Sequence, residues 1–255
     1  MSYLIIIFLF ILGAIMGSFF AVVATRVPKN ESIISPRSHC EFCNHVLSYI
    51  ELIPIFSYIY QKGKCRNCGK KLSLSYLATE LASGILFVLS YLKFGFSLSF
   101  FLCIILSSLV IIIFVSDMKY MIILDSPLII SAILIIFFRF IFQGFTTTLS
   151  FLIDGTLTLL CIFYIGKLGN LFFKRESLGG GDIKLAFIMG LTLGFPMAMI
   201  SFVLSTFLAL PYAITCMFLN LGHEVPFGPF LGSSLWIVFF FFEKFQYILT
   251  LLFPF

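Results

Sequence analysis

The 255 residues are 61% hydrophobic, include 35 phenylalanines and have a mean hydropathy of +1.14, against the ~45–50% apolar content usual in soluble domains. Only 11% are charged, and the net charge is +5. This composition excludes a soluble globular enzyme and gives the positive charge no need of a nucleic-acid partner; the chain reads as an all-α, polytopic membrane protein.

A helix needs about 20 apolar residues to cross a bilayer. Runs at 3–25, 77–94, 98–116, 127–145, 148–166, 183–195, 197–219 and 230–250 predict a bundle of about eight transmembrane helices. The first is too long for a signal-peptide core and lacks a convincing small-residue cleavage site, so it reads as a retained helix. The sixth is short and contains glycine, which predicts a tilted, broken or internally packed helix.

Between the first two runs lies the one long polar stretch, 26–76. It holds Cys40-Glu41-Phe42-Cys43 and Cys65-Arg66-Asn67-Cys68, a CxxC…CxxC arrangement close to the spacing of structural zinc sites. Cys40 to Ser48 and Cys65 to Ser73 both read C-x-x-C-x-x-x-L-S. Two such knuckles would aim four thiolates at one ion and leave no open position for catalysis, so the predicted Zn2+ is structural. His39 and His45 flank the first pair and are read as solvated or supporting groups. Cys103, Cys161 and Cys216 lie in apolar runs and read as packing residues.

Asp117 ends the third run, and Asp182 follows Gly179-Gly180-Gly181 at the head of the sixth. An ionisable group at or within a membrane is costly and reads as functional by default. Gly-Asp at a helix start is also an N-cap pattern. In an eight-span arrangement both acids lie at the same depth on one face. Two such carboxylates cannot easily ionise together, so the pair holds one acid and one base, as peptide hydrolysis by an aspartyl dyad requires. Other acids have blander readings: Asp125 as a cap before Ser126-Pro127, Glu80 as a helix-start charge or the lining of a polar cleft, and Asp154 as a buried partner for Arg139. The three histidines, His39, His45 and His223, offer no nucleophile assembly within a span. A relay of Asp117 and Asp182 in a proton- or cation-coupled transporter is the alternative function. A scaffold whose zinc loop docks a secretion partner is a third.

All lysines and arginines except Lys93, Arg139 and Lys244 fall on the face that carries the cysteine stretch and both acids. Basic loops stay in the cytoplasm. That face is therefore predicted to be cytoplasmic, with both termini outside.

The ordered motifs resemble the type IV prepilin peptidases, GxGD-type membrane aspartyl proteases of bacteria. Gly179-Gly180-Gly181-Asp182-Ile183-Lys184 is similar to the family's GxGDxK. Asp117, followed eight residues later by Asp125, is similar to its first aspartate element. Gly17-Ser18-Phe19 through Arg26-Val27-Pro28 resembles GSFxNVVxxRxP, and Pro226-Phe227-Gly228-Pro229-Phe230-Leu231 resembles PFGPxL. The resemblance implies Asp117 and Asp182 as the catalytic pair, with Gly179, Gly181 and Lys184 in an active-site loop and Cys40, Cys43, Cys65 and Cys68 as metal ligands. It implies cleavage of prepilins and pseudopilins in the bacterial cytoplasmic membrane, with pilus or type II secretion machinery as partners. It further implies N-methylation of the new terminus from S-adenosylmethionine, for which the sequence shows no binding motif. Three positions depart from the pattern: Ala21 replaces Asn, Ile123-Leu124-Asp125 replaces IPD, and Ser75-Tyr76-Leu77-Ala78-Thr79-Glu80 lacks the Arg of RYxxxE. The first bears on methyl transfer, and none touches the acids. The expected organisation is a first helix (1–25), a cytoplasmic four-cysteine loop (26–76) and a seven-helix catalytic core (77–255).

Overall fold

The protein is described here by a computed structural model covering residues 2–173, 178–219 and 225–252. Lys174, Arg175 and His223 lie outside the described residues. The chain divides into two compact units, Met1–Gly95 and Phe96–Phe255, and no β-strand occurs among the described residues.

In the first unit, α1 (Ser2–Arg26) packs along α3 (Leu74–Phe94), with the cysteine insert between them in sequence. The helices approach through small residues. A Cβ at Gly13 would lie 2.8 Å from Ser83 O, and one at Gly17 would lie 2.7 Å from Thr79 O. Gly13 and Gly17 form a small-xxx-small pair, which brings backbones close where lipid offers no hydrophobic drive between helices. Within the insert, α2 (Phe56–Tyr60) is one short turn of helix.

The second unit contains α4 (Leu98–Tyr120), α5 (Asp125–Phe173), α6 (Gly180–Leu193), α7 (Phe195–Phe218), α8 (Gly228–Phe240) and α9 (Phe242–Leu252). Helix α5 would be about 73 Å long if straight, more than twice the ~30 Å hydrocarbon core. It breaks at Gly144, whose φ of 80° and ψ of 178° are non-helical, so its two limbs supply the two runs expected at 127–145 and 148–166. Ser97 caps α4 by accepting the Phe100 N–H at 3.4 Å.

The last run behaves differently from the single span expected at 230–250. It bends by 85° between α8 and α9, because α8 ends at Phe241. Among the described residues, five helices are long and apolar enough to cross a membrane, or six if this bent pair counts as one span. Helix α6, with 14 residues, is too short to cross alone.

Helices α4, α6 and α8 form the interior. Helix α8 packs against both α4 and α6, and Leu106, Leu109 and Ile113 of α4, Leu185, Ile188 and Met189 of α6, and Leu231, Leu235 and Val238 of α8 are all essentially inaccessible. Polar atoms in this core are paired: Trp236 Nε1 donates to Ser107 Oγ at 2.9 Å, and Ser201 meets Ser234 at 3.2 Å. Ile129, Ile133 and Phe137 of α5 point outward, as lipid-facing side chains do. The helices carrying the two aspartates are thus the innermost.

Candidate active site

Asp117 lies in the last turn of α4 and is 6% exposed; Asp182 lies in the first turn of α6 and is 9% exposed. Each carboxylate is anchored by a helix N-terminus. The Gly228 N–H, at the start of α8, donates to Asp117 Oδ2 at 2.9 Å. The Gly179 N–H donates to Asp182 Oδ2 at 3.2 Å, while the Asp182 N–H returns to Gly179 O at 3.1 Å. Asp182 therefore caps its own helix and still faces Asp117, the two being within electrostatic reach. Helix N-termini carry partial positive charge, which favours Asp182 at the start of its own helix and, for Asp117, sets the start of α8 against the negative end of α4.

One apolar side chain sets the spacing between these ends. A Cβ on Gly181 would lie 2.7 Å from Ile123 Cβ, and a Cβ on Gly228 would lie 2.9 Å from Ile123 Cδ1 and 2.8 Å from Asp117 Oδ2. Ile123 thus touches the backbone beside both acids. Nothing lies within 4 Å of a Cβ on Gly180. Only the outer glycines of the triplet have a local reason: Gly179 is the N-cap, and Gly181 admits Ile123.

Lys184 pairs with Asp125 at 2.6 Å, linking the first turns of α6 and α5. Asp125 is therefore more than a helix-start charge. Both groups are over half exposed, so the pair contributes at most about 1 kcal/mol. The expected partnership of Arg139 with Asp154 is present as a charge interaction, while the hydrogen bonds of the guanidinium go elsewhere. Arg139, 3% exposed, donates to Thr192 O at 2.7 Å and to Gln143 Oε1 at 2.9 Å, and its guanidinium stacks 3.4 Å from the Phe151 ring centroid. Among the described residues no ion pair joins it to Asp154. Thr192 O is one of the terminal carbonyls that a short helix leaves open, so the buried cation serves the end of α6 opposite Asp182. Glu80 is buried two turns into α3 and accepts the Ile55 N–H at 2.7 Å, neither a helix-start charge nor solvent-facing.

In the first unit the four cysteine sulfurs lie within 4.8 Å of one another, and this cluster could hold a metal ion. Cys40 Sγ is 3.9 Å from Cys68 Sγ, and Cys43 Sγ is 3.9 Å from Cys65 Sγ. Tetrahedral Zn–S bonds of ~2.3 Å require sulfurs about 3.8 Å apart, so the donor set fits. The repeat seen in sequence is also a repeat in space. The Cys40 and Cys65 N–H groups donate to His45 O and Lys70 O, and their carbonyls accept from Asn44 and Gly69, both in the left-handed region. The Cys68 and Asn67 N–H groups point at Cys65 Sγ and hold its thiol down to about 6. His39 contacts Arg37 O, and His45 lies 3.6 Å from Glu51; neither enters the cluster. Cys103 and Cys216 are buried in helices, as packing residues would be.

The model of the bacterial peptidase A24 N-terminal domain matches residues 11–94, and that of the type IV leader peptidase family matches residues 104–214. A prepilin leader peptidase/N-methyltransferase of Bacillus subtilis (strain 168) is 35% identical over 239 residues, covering 89% of this chain and 90% of the relative. This chain belongs to the type IV leader peptidase family. A prepilin leader peptidase/N-methyltransferase of Vibrio cholerae (serotype O1, strain El Tor Inaba N16961) is 31% identical over 256 residues, covering 94% and 98%. One of Neisseria gonorrhoeae is 28% identical over 261 residues. No solved structure is matched. Membership in a leader peptidase family makes the chain a peptidase and decides against the cation-relay alternative. The two matched segments fall one in each compact unit.

Sequence motifs pointed to Asp117, Asp182 and the cysteines, but not to Ile123, the Gly228 amide, the Arg139 contact or the Glu80 contact. The Pro226–Leu231 motif was the available signal for Gly228; its partner could not be read from the line.

Proposed function

We propose that the protein is a membrane aspartyl endopeptidase that removes the leader of prepilins and pseudopilins, with Asp117 and Asp182 as its catalytic pair. The observation that carries this reading is the convergence of the two carboxylates at the buried meeting of α4, α6 and α8, in a leader peptidase chain. Held close, the pair shares one proton. The ionised member takes a proton from the attacking water while the protonated member delivers its own to the scissile carbonyl oxygen, giving a tetrahedral diol. The newly protonated member then passes its proton to the amide nitrogen, and the other takes one back from the diol as the C–N bond breaks. The Gly228 and Gly179 amides hold the Oδ2 atoms of Asp117 and Asp182 in place through both steps. No covalent intermediate forms on the chain.

Hydrolysis at this site requires water from one membrane face. The distribution of Lys and Arg supports the cytoplasmic face, with both termini outside. The four cysteines would hold structural Zn2+, which supplies folding energy to an insert too small for a core of its own. Relatives named prepilin leader peptidase/N-methyltransferase support a second activity, methylation of the new N-terminus from S-adenosylmethionine. Pilus or type II secretion machinery would receive the product.

The test is cleavage of a prepilin by the reconstituted full chain carrying Asp117→Asn or Asp182→Asn. Each is expected to lose activity by about 10²–10⁴-fold, the usual contribution of a proton-transferring group. Full activity in either variant overturns the assignment. Mass spectrometry of the mature pilin N-terminus reads cleavage position and methylation together.

A further inference from the structure

The insert between α1 and α3 contains a feature that the peptidase and metal readings leave unused. Tyr49, Ile50, Ile53, Phe56, Ile59 and Tyr60 are all exposed, Ile59 by 65% and Tyr60 by 67%. Single exposed apolar residues are ordinary, whereas six within twelve positions mark an interaction surface. The Phe56 and Tyr60 rings stack with centroids 6.1 Å apart, so they lie on one side of α2.

A backbone contact fixes the depth of this segment. Glu80 Oε2 accepts the Ile55 N–H at 2.7 Å, and Ser18 of α1 bonds the same carboxylate. Helix α3 has 21 residues, a length of about 31 Å that just matches the ~30 Å hydrocarbon core. Glu80 is six residues past its first residue, about 9 Å into the span. Ser18 is eight residues before the end of α1, at about 12 Å. The chain at Ile55 therefore returns from the metal knuckles to a level below the ends of the helices on either side. Ile55 itself has φ 64° and ψ −54°, a conformation that a β-branched residue holds only when its surroundings impose it. Ile55 is the centre of a γ-turn closed by the Phe56 N–H on Pro54 O at 2.6 Å, and the buried carboxylate holds the N–H of that same residue.

We propose that the segment Ile50–Tyr60 lies in the bilayer interface, with Ile53, Phe56 and Ile59 among the upper acyl chains and Tyr49 and Tyr60 at headgroup level. The depth is that of interfacial amphipathic segments, ~5–10 Å below the surface, and tyrosine is a residue of that layer. The exposed Lys62, Lys64, Arg66, Lys70 and Lys71 follow directly in sequence, a charge set that complements anionic lipid. The first unit is then held to the membrane by two spans and by this third, partly inserted contact, which fixes the cysteine knuckles against the lipid surface. The inference rests on the chain's membrane placement and not on prepilin cleavage.

The test uses the full chain in vesicles of phosphatidylethanolamine and phosphatidylglycerol. Ile59→Trp and Tyr60→Trp are made separately, with Lys71→Trp as the aqueous reference and the Trp236 signal of the parent subtracted. Emission added at positions 59 and 60 is expected to lose most of its intensity to brominated phosphatidylcholine and little to aqueous iodide, with position 71 behaving oppositely. Iodide quenching at positions 59 and 60 equal to that at 71 overturns the proposal. Iodide quenching that disappears only when a prepilin is added assigns the surface to the substrate's apolar helix and also overturns it. Asp182→Asn added to Ile59→Trp is expected to leave the quenching unchanged, which separates failure of this inference from failure of the peptidase reading.

Discussion

Two residues separate what the Gly-rich turn before Asp182 needs from what it merely contains. A methyl group on Gly181 would press on Ile123 Cβ at 2.7 Å, and a β-carbon cannot swing aside as a flexible side-chain end can. The first turn of α6 would have to move, taking Asp182 with it. Gly181→Ala is therefore expected to lower the prepilin cleavage rate by about 10²-fold, the cost of a misplacement near 1 Å. Gly180→Ala, whose Cβ meets nothing within 4 Å, is expected to stay within about twofold of the parent, in keeping with the ~0.5 kcal/mol range of surface changes. Equal losses in the two variants would remove the role given to Ile123. The motif made both glycines look alike; only the packing distinguishes them, because Ile123 comes from the link between α4 and α5.

Among the elements, α6 has the least independent support. It is too short to span a bilayer, its first turn holds Asp182, and its final carbonyls end in the buried interior. Arg139 answers that with a bond to Thr192 O from the neighbouring α5. Arg139→Met keeps much of the side-chain volume but leaves the carbonyl unpaired, at a cost of about 1–3 kcal/mol. Thermal unfolding of the detergent-solubilised chain should show this as a lower midpoint, with a smaller drop in Arg139→Lys, which retains a donor. An unchanged midpoint in Arg139→Met would show that α6 does not depend on the contact. In the first unit the corresponding device is the Gly13/Gly17 face. Gly17→Val would force a side chain against Thr79 O, now 2.7 Å from the Cβ position, and should cost about 1–3 kcal/mol as overpacking. The small-xxx-small spacing is visible in the sequence, whereas its partner helix is not.

For the molecule as a whole, the two compact units separate the metal knuckles from the aspartates. Removing metal with a chelator, or replacing Cys40 with Ser, is expected to abolish bound Zn2+ by elemental analysis and to open protease sites within 37–73. The helices of the second unit should remain resistant. Loss of resistance across residues 96–252 would mean that the second unit depends on the ion. Apolar runs, paired CxxC turns and two acids at span ends are local patterns, and they determined the all-helical membrane class and the residues proposed to carry the chemistry, but not how many of the runs cross. Tertiary structure alone decided the rest. It bent the last run at Phe241, drew the Gly228 amide onto Asp117, gave Arg139 the end of α6 as its hydrogen-bond partner, and brought Ile55 down to Glu80. Each of these joins groups far apart in the chain, except the bend, which falls just before Glu243-Lys244 in the run. Hydrophobic length reports how much chain lipid will accept; it carries no information about which buried polar group satisfies which, and that pairing is settled only when the helices pack.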